Sequence, residues 1–557
     1  MTESTSSGLT DPKKSFFGIV LWVILAVLWF AMLDYRDLNE PDEGRYAEIP
    51  REMFASGDWL TPRLDGFKYF EKPPMQYWAT AVFYQLLGPS AATSRLWSAL
   101  MGFVGILSVI WVGKRLFGPA AGWYSGLVLT SMILYVAMAH FNTLDMSTSV
   151  WLMLGMGALL LAQSRREEDP GSCRNYMLLG WAALAGACLS KGVIGLVLPG
   201  ATLVLYSVWQ RDWGLWRHLH LGWGILLFLA LTAPWFVGVS LANPEFPHFF
   251  FIHEHLERYT TTTHGRTGVW WYFLGVLLLG TVPWSRRVLA VLFKPGFAWG
   301  KGTGRFDPVR LMWVNVVFIV FFFSISQSKL IPYILPAFPI LALLLGRDLA
   351  MDKTRLTLGW ETRLLAILAV LLCVGAINIH VFVNEVRPAE MLVQARPWLL
   401  GAASVLAVAV GVSLWLRCQG GTVLISLVVA TLLTGQLILW GAQVFSPTNS
   451  SRNAAKAISS IGNATTPVYF VNCYFQSLPF YLGRTILLVE YMGELEFGIR
   501  QEPATWIADK VTFNQRWLRE TQAVAVFRLD DFAVWRTNGL PMRVVHEDTR
   551  RVVVARQ

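Results

Sequence analysis

The sequence predicts an all-α polytopic membrane protein that carries a soluble C-terminal α/β domain. Three observations predict it. Of 557 residues, 54% are hydrophobic and only 15% charged, against about a quarter charged in ordinary soluble domains. The apolar residues fall into runs of about 17–25 residues separated by short charged loops, the length that crosses about 30 Å of hydrocarbon as helix. Beyond residue 445 the pattern changes abruptly, and short strand-like runs alternate with helix-like ones.

Taken in order, Phe16–Leu33 follows Lys13 and Lys14 and lacks a small-residue cleavage pattern, so it reads as an uncleaved anchor. Further spans centre on Trp97–Gly113, Ala120–Ala139, Met146–Ala162, Tyr176–Ser190, Val193–Trp209, Leu221–Val239 and Val269–Trp284. After these come Met312–Phe323, Ile331–Leu345, Leu364–Val383, Leu399–Leu416 and Val423–Val444, which makes about thirteen. In the tail, Val468–Val471, Thr485–Val489, Val524–Phe527 and Val552–Val554 are strand-like, while Asn453–Ser460 and Thr505–Leu518 are helix-like, which favours an α/β layer. The chain thus divides into a transmembrane domain over 1–445 and a soluble domain over 446–557.

With 46 Lys and Arg against 36 Asp and Glu the net charge is +10. The excess sits in loops, so it reads as a topology signal, and no nucleic acid is expected as a partner. A cytoplasmic N-terminus puts Lys114, Arg115, Arg165, Arg166, Arg211 and Arg217 inside, together with the dense basic group from Arg286 to Arg310. An odd number of spans then places 34–94, 241–268 and the tail outside. The five cysteines show no Cys-x-x-Cys spacing, so neither a disulfide framework nor a Cys-based metal site is expected.

Charge is densest in the first outer segment, from Glu40-Pro-Asp42-Glu-Gly-Arg45-Tyr46 through Arg51 and Glu52 to Phe70-Glu71-Lys72-Pro-Pro74. Ile49, Met53 and Phe54 interleaved with charges suggest a short amphipathic helix at the membrane interface, and Tyr77–Leu87 suggests another. On that reading Glu48, Arg51 and Glu52 face water. The second outer segment contains His253-Glu254-His255-Leu-Glu257-Arg258-Tyr259. On an α-helix His253, Glu254 and His255 share no face, so this run is a weak metal signal unless a carboxylate such as Glu71 joins it. Asp145, Lys191 and Lys329 stand at the outer ends of spans whose middles are nearly free of charge. A lysine at a helix end often only snorkels. Here all of these groups fall at one boundary, and together they describe a polar cavity bordered by Arg45, Lys72, Lys191, Arg258 and Lys329 and by Asp42, Glu71 and Asp145. Cations gathered at a membrane surface suit a phosphate whose lipid tail stays in the bilayer.

The four motifs Glu40–Tyr46, Phe70–Pro74, His253–Tyr259 and Ser328-Lys329-Leu-Ile-Pro-Tyr333-Ile-Leu-Pro-Ala-Phe-Pro339 resemble those of the bacterial aminoarabinose transferases. These are GT-C-fold glycosyltransferases of the protein mannosyltransferase-like superfamily. The resemblance extends over the whole chain and implies transfer of 4-amino-4-deoxy-L-arabinose, with inversion, from undecaprenyl phosphate to lipid A phosphates. It further implies a monomer in the bacterial inner membrane, embedded in membrane lipid, with a periplasmic active site and tail. The lipopolysaccharide modification it implies confers resistance to polymyxin and other cationic peptides.

Carried onto this sequence, the family pattern implies that Asp42 is the essential acidic residue, with Lys72 and Asp145 also catalytic. Lys72, Arg258 and Tyr333 would hold the carrier phosphate. Arg45, Tyr46, Lys191 and Lys329 complete the expected substrate-binding set, and Glu71 with His253 would bind a divalent, zinc-like metal. Asp42 would either orient the sugar or act as base. Two alternatives stay open at this point: another polyprenyl-phosphate sugar or a protein hydroxyl as substrate, and a lipid flippase, which should show ionisable residues near mid-membrane in paired halves.

Overall fold

In a computed structural model of the chain, the described residues are 12–257, 268–293, 302–352, 358–416, 419–536 and 539–557. Helix α1 (Pro12–Phe30) is followed by α2 (Asp42–Ser56), which lies outside the bundle and stops at Gly57, a left-handed residue with φ 75°. A two-stranded hairpin, β1 (Arg63–Leu64) and β2 (Phe67–Lys68), leads to α3 (Met75–Leu87). Helices therefore stand where the two short amphipathic helices were expected.

The bundle begins with α4 (Ala91–Phe117), whose Ser90 accepts a hydrogen bond from the Thr93 backbone in a capping box. Next come α5 (Pro119–Thr130) and α6 (Ile133–Ala139), joined by a 68° bend. Helices α7 (Leu144–Ser164), α8 (Pro170–Lys191) and α9 (Ile194–Gln210) complete the first half. In the second half, helices cover Leu221–Ala242, Tyr272–Gly280, Ser285–Phe293, Pro308–Ile325, Ala337–Met351, Gly359–Ile377, Ala389–Trp415 and Gly420–Gly441. A π-helical stretch, His248–Glu257, precedes that group's second member. Helix thus lies over each of the predicted apolar runs. By length and composition, seven helices among the described residues can cross a membrane, or eight if α5 and α6 form one bent span. Within its apolar window α7 is 83% buried while Leu221–Ala242 is 17% buried, so α7 is central and Leu221–Ala242 peripheral.

Prolines account for the largest departures from the predicted spans. Val269–Trp284 is a nine-residue helix that ends before Pro283, which has no N–H to give an ongoing helix. Ile331–Leu345 begins as a 3₁₀ turn, Ile331–Ile334, and becomes α-helical only from Ala337, after Pro336.

The tail folds as a six-stranded mixed sheet in the order β5-β4-β3-β6-β8-β7. Its strands are β3 (Val468–Val471), β4 (Leu487–Val489), β5 (Trp506–Ile507), β6 (Val524–Arg528), β7 (Met542–Glu547) and β8 (Arg551–Arg556). β3 pairs in parallel with β4 and β6, and β8 closes antiparallel between β6 and β7. Side chains alternate along the strands. Phe470, Leu488, Val526 and Val553 pack toward Ile49 and Met53 of α2. Tyr469, Val471, Ala525 and Phe527 pack with Phe513, Trp517 and Trp535, which lie on helices Lys510–Arg519 and Leu529–Arg536. With both faces covered, the inner strands read as unbroken apolar runs. The two-residue β5 and the half-polar edge strand β7 lack that signal. The predicted helix Thr505–Leu518 accordingly starts only at Lys510, behind β5.

This docking overturns the expectation that Glu48, Arg51 and Glu52 face water. Their exposures are 0%, 7% and 9%. Arg51 grips Glu48 through Nε at 2.6 Å and Nη2 at 2.5 Å, and its Nη1 donates to the Gly483 carbonyl of the tail at 3.1 Å. Glu52 accepts from Gly66 N at 2.9 Å, and Asp65 accepts from Ile486 N at 2.7 Å. Three carboxyl groups thus share one guanidinium. Burial, reinforced for Glu52 and Asp65 by neighbouring carboxylates, pushes all three above the usual carboxyl range. Amphipathic periodicity identified the helix but could not reveal that a domain over 400 residues away covers its polar face.

Candidate active site

A cavity of about 540 Å³ lies where α7, α8, α9, the π-helical stretch and the segment 322–336 meet. One part of its wall is charged: Lys72, Asp145, Lys191 and Glu254. The rest is mostly apolar, including Leu152, Ile194, Val197, Phe251, Phe322 and Phe323. Two of the charged groups are delivered by helix ends. Asp145 sits in the first turn of α7, where a helix N-terminus favours negative charge, and Lys191 is the last residue of α8, where a cation is favoured. Lys191 Nζ pairs with Asp145 Oδ1 and stands 5.0 Å from the centroid of the Tyr333 ring. Lys72 is fixed just before Pro73 and Pro74. Its Nζ donates to the Glu71 carbonyl at 2.7 Å and to Glu254 Oε2 at 3.1 Å.

Four of the predicted site residues, Lys72, Asp145, Lys191 and Tyr333, therefore share this cavity. Asp42, Arg45 and Tyr46 form a second group on the first turns of α2. The Asp42 side chain is 57% exposed and lies 3.3 Å from Arg45 Nη1, while Arg45 Nη2 reaches Glu494 of the tail at 2.5 Å. Tyr46 is buried and stacks on Tyr77 with centroids 6.1 Å apart. Burial raises the Glu494 carboxyl above its ordinary value, and Arg45 opposes that rise. Lys329 is not part of the cavity lining. Its ammonium donates to the Ser324 and Ser326 carbonyls at 2.8 and 3.0 Å, at the end of helix Pro308–Ile325, and so neutralises a helix C-terminus. Arg258 lies outside the described residues.

Sequence reasoning missed two participants. Glu254 lines the cavity because the stretch His248–Glu257 is wound as a π-helix, whose spacing α-helical counting does not give. Glu494 arrives from the tail, where no motif marks it.

Among the described residues no group of three or more His, Cys, Asp or Glu stands where it could hold a metal ion. The expected ligands Glu71 and His253 supply two donors, and the His253 ring stacks on Phe249 with centroids 5.3 Å apart. An open zinc site usually has three protein ligands.

Electrostatically the cavity is balanced. Among the described residues two lysines face two carboxylates, so a phosphate placed there would compete with a carboxylate already in place. A mostly apolar wall beside paired cations accommodates an amphiphile with an anionic head.

Residues 454–556 match the family described as aminoarabinose transferase C-terminal domain, and residues 71–237 match that described as dolichyl-phosphate-mannose-protein mannosyltransferase. An undecaprenyl phosphate-alpha-4-amino-4-deoxy-L-arabinose arabinosyl transferase from Shewanella sediminis is 30% identical over 393 residues, 70% of each chain. The corresponding protein of Erwinia tasmaniensis is 28% identical over 546 residues, 93% of this chain and 94% of that one. The crystal structure of ArnT from Cupriavidus metallidurans bound to undecaprenyl phosphate superposes with a TM-score of 0.90 at 35% identity, covering 97% of this chain and 98% of that one. With identity and fold matching along nearly the full length, the chain belongs to the family of undecaprenyl phosphate-aminoarabinose arabinosyl transferases.

Proposed function

We propose that the chain is a glycosyltransferase that moves 4-amino-4-deoxy-L-arabinose from undecaprenyl phosphate to a phosphate of lipid A. The observation that carries this reading is the cavity itself, in which Lys72 and Lys191 border an apolar wall at the ends of helices. Its support includes a relative solved with undecaprenyl phosphate bound.

In the proposed step an acceptor phosphate oxygen attacks the anomeric carbon as the bond to the carrier phosphate oxygen breaks. The bonding pair leaves with the carrier. The acceptor, with a second pKa of about 6, is already largely anionic near neutral pH, so no strong base is needed. Lys72 and Lys191 neutralise the charge that grows on the departing phosphate, acting in a cavity where water is partly excluded. Asp145 holds the Lys191 ammonium at the helix junction, and Tyr333 presents its ring to the same ammonium. Asp42, beside Arg45, is placed in this scheme to orient the sugar's amino group. Arg258 would add a cation to the carrier phosphate. A divalent metal, if bound, would be held by Glu71 and His253 and would supply positive charge toward the carrier phosphate; elemental analysis of purified protein tests this.

The same reading assigns thirteen spans, a domain boundary near residue 445, and a periplasmic site and tail in the bacterial inner membrane, with the protein a monomer. A cytoplasm-dependent reporter fused after Gln557 should then be silent. Adding an amine to lipid A phosphate lowers surface negative charge and with it the attraction for cationic peptides. The direct test is mass spectrometry of lipid A from cells expressing the chain. An aminoarabinose adduct that vanishes with the gene is expected, and unchanged lipid A refutes the reading.

A further inference from the structure

The segments that carry Asp42, Lys72 and Asp145 converge on one buried residue, Asn142. Its backbone N–H donates to Glu43 Oε1 at 3.1 Å, and its Oδ1 accepts from Gln76 Nε2 at 2.9 Å. Each contact lies within a helical turn of a proposed site residue. Glu43 follows Asp42, Gln76 is four residues after Lys72, and Asn142 is three before Asp145. The linkages are stiff. Pro73 and Pro74, with φ fixed by their rings, occupy the gap between Lys72 and Gln76. The Glu43 carboxylate also accepts from Asn39 N at 3.0 Å and from Arg95 Nε and Nη2 at 2.7 and 2.8 Å.

Stability alone gives no reason for this pair of amides. Gln76 and Asn142 are both 0% exposed, yet Gln76 Oε1 and Asn142 Nδ2 meet no protein hydrogen-bond partner among the described residues. Turning both amides over leaves one donor and one acceptor stranded just the same. A buried polar pair that is half satisfied is generally no better than apolar groups of similar volume, and often worse. Local rules are broken in this way chiefly where function requires it.

We infer that Asn142, through Gln76 and Glu43, is a positioning residue that sets the spacing of Lys72, Asp145 and Asp42. This rests on the proposed function, since it is the transfer geometry that needs the spacing. A misplacement on the order of 1 Å at a reacting centre costs up to about a hundredfold in rate. Carrier binding should be less sensitive, because Lys72 and Lys191 both remain.

The test uses the purified full chain with Gln76→Met, Asn142→Val and both together. Melting temperature, kcat with the aminoarabinose donor, and Kd for undecaprenyl phosphate are measured in detergent. Each single variant should melt lower than wild type, because a buried amide loses its partner, and the double variant should regain most of that loss. All three should nevertheless show kcat roughly ten- to a hundredfold below wild type, with the carrier Kd within about threefold. A double variant with wild-type kcat, or kcat that recovers in step with melting temperature, overturns the inference. If the double variant does not fold, Gln76→Ala is judged by the same kcat criterion. Failure of wild type to transfer from this donor refutes the function itself, and the positioning role falls with it; wild-type transfer with fully active variants refutes the positioning role alone.

Discussion

Replacing Glu254 by Gln tests how the cavity handles a phosphate. Glu254 lies 3.1 Å from Lys72 Nζ, and with Asp145 it offsets the two lysines among the described residues of the cavity wall. A phosphate seated on Lys72 would stand close to that carboxylate, and two charges about 4 Å apart at an effective permittivity of about 20 interact by about 4 kcal/mol. The Lys72 and Glu254 side chains keep 17% and 5% of their exposure, so solvent and salt reduce the repulsion to about 1–2 kcal/mol, a factor of roughly 5–30. Glu254→Gln should therefore tighten binding of undecaprenyl phosphate by about that factor. It should tighten product more than donor, because the released monoester carries about −1.5 to −2 charges and the donor diester only one. Turnover should fall wherever carrier release limits it, with stronger product inhibition. Tryptophan fluorescence titration in detergent at low and high salt reads the affinity, and the gain should shrink as salt rises. Equal or weaker carrier binding by a folded Glu254→Gln protein refutes the argument. Lys72→Ala is the control of opposite sign: loss of a charge-assisted bond should weaken carrier binding by roughly ten- to a hundredfold.

Three further perturbations address the joints around the site. Glu48, Glu52 and Asp65 have carboxyl pKa values raised by burial, so between the unfolded value near 4 and the raised folded value the native state binds more protons than the unfolded state. Their contribution is then complete below the unfolded pKa and is lost as pH rises; melting temperature should fall toward alkaline pH, and Glu52→Gln should flatten that slope in scanning fluorimetry. Arg95→Met takes from buried Glu43 its closest cation, which holds that carboxyl down to about 2 against the upward push of burial; a loss of about 3–5 kcal/mol is expected, largely recovered when Glu43→Met is added, as read by denaturant unfolding in detergent. Gly44→Ala puts a Cβ 2.6 Å from Ser477 N and 2.9 Å from its Cα. Because those are backbone atoms of the tail, α2 and the tail must separate at a cost of about 1–3 kcal/mol, visible as faster proteolysis between the domains.

Apolar run length located the helices because membrane crossing is a one-dimensional constraint that each segment meets by itself. Short unbroken apolar runs located β3, β4, β6 and β8 for a related reason: strands covered on both faces are apolar at nearly every residue. What depends on two distant segments at once was not legible. Glu48, Arg51 and Glu52 look like solvent-facing helix charges until the tail arrives, with Gly483 bonded to Arg51 and Ile486 to the neighbouring Asp65. The site shows the same division. Lys72, Asp145 and Lys191 could be gathered from sequence because each is a charge set beside prolines or at the end of an apolar run, where it is conspicuous, whereas Tyr333 came through the family resemblance alone. Glu254 escaped because its placement depends on π-helical winding, and Glu494 because its value lies wholly in the 2.5 Å contact with Arg45.

That contact has a consequence for how the two domains act together. Arg45 is adjacent to Tyr46 and three residues from Asp42, so Glu494 reaches from the tail into the group proposed to hold the sugar. Gly44 allows this approach, since any side chain there would strike the Gln476–Ser477 backbone. Ser477 and Ser451 of the tail both donate to Glu40 Oε1, so the residues on either side of Asp42 are bonded to the tail. Asp42 itself is left exposed, and its carboxylate is presented on a turn held from both sides. A loop so anchored loses little conformational entropy when substrate arrives, which is the advantage of building a polar site at a domain joint. The tail is then a structural part of the catalytic apparatus, and severing it should abolish transfer even where the membrane bundle persists.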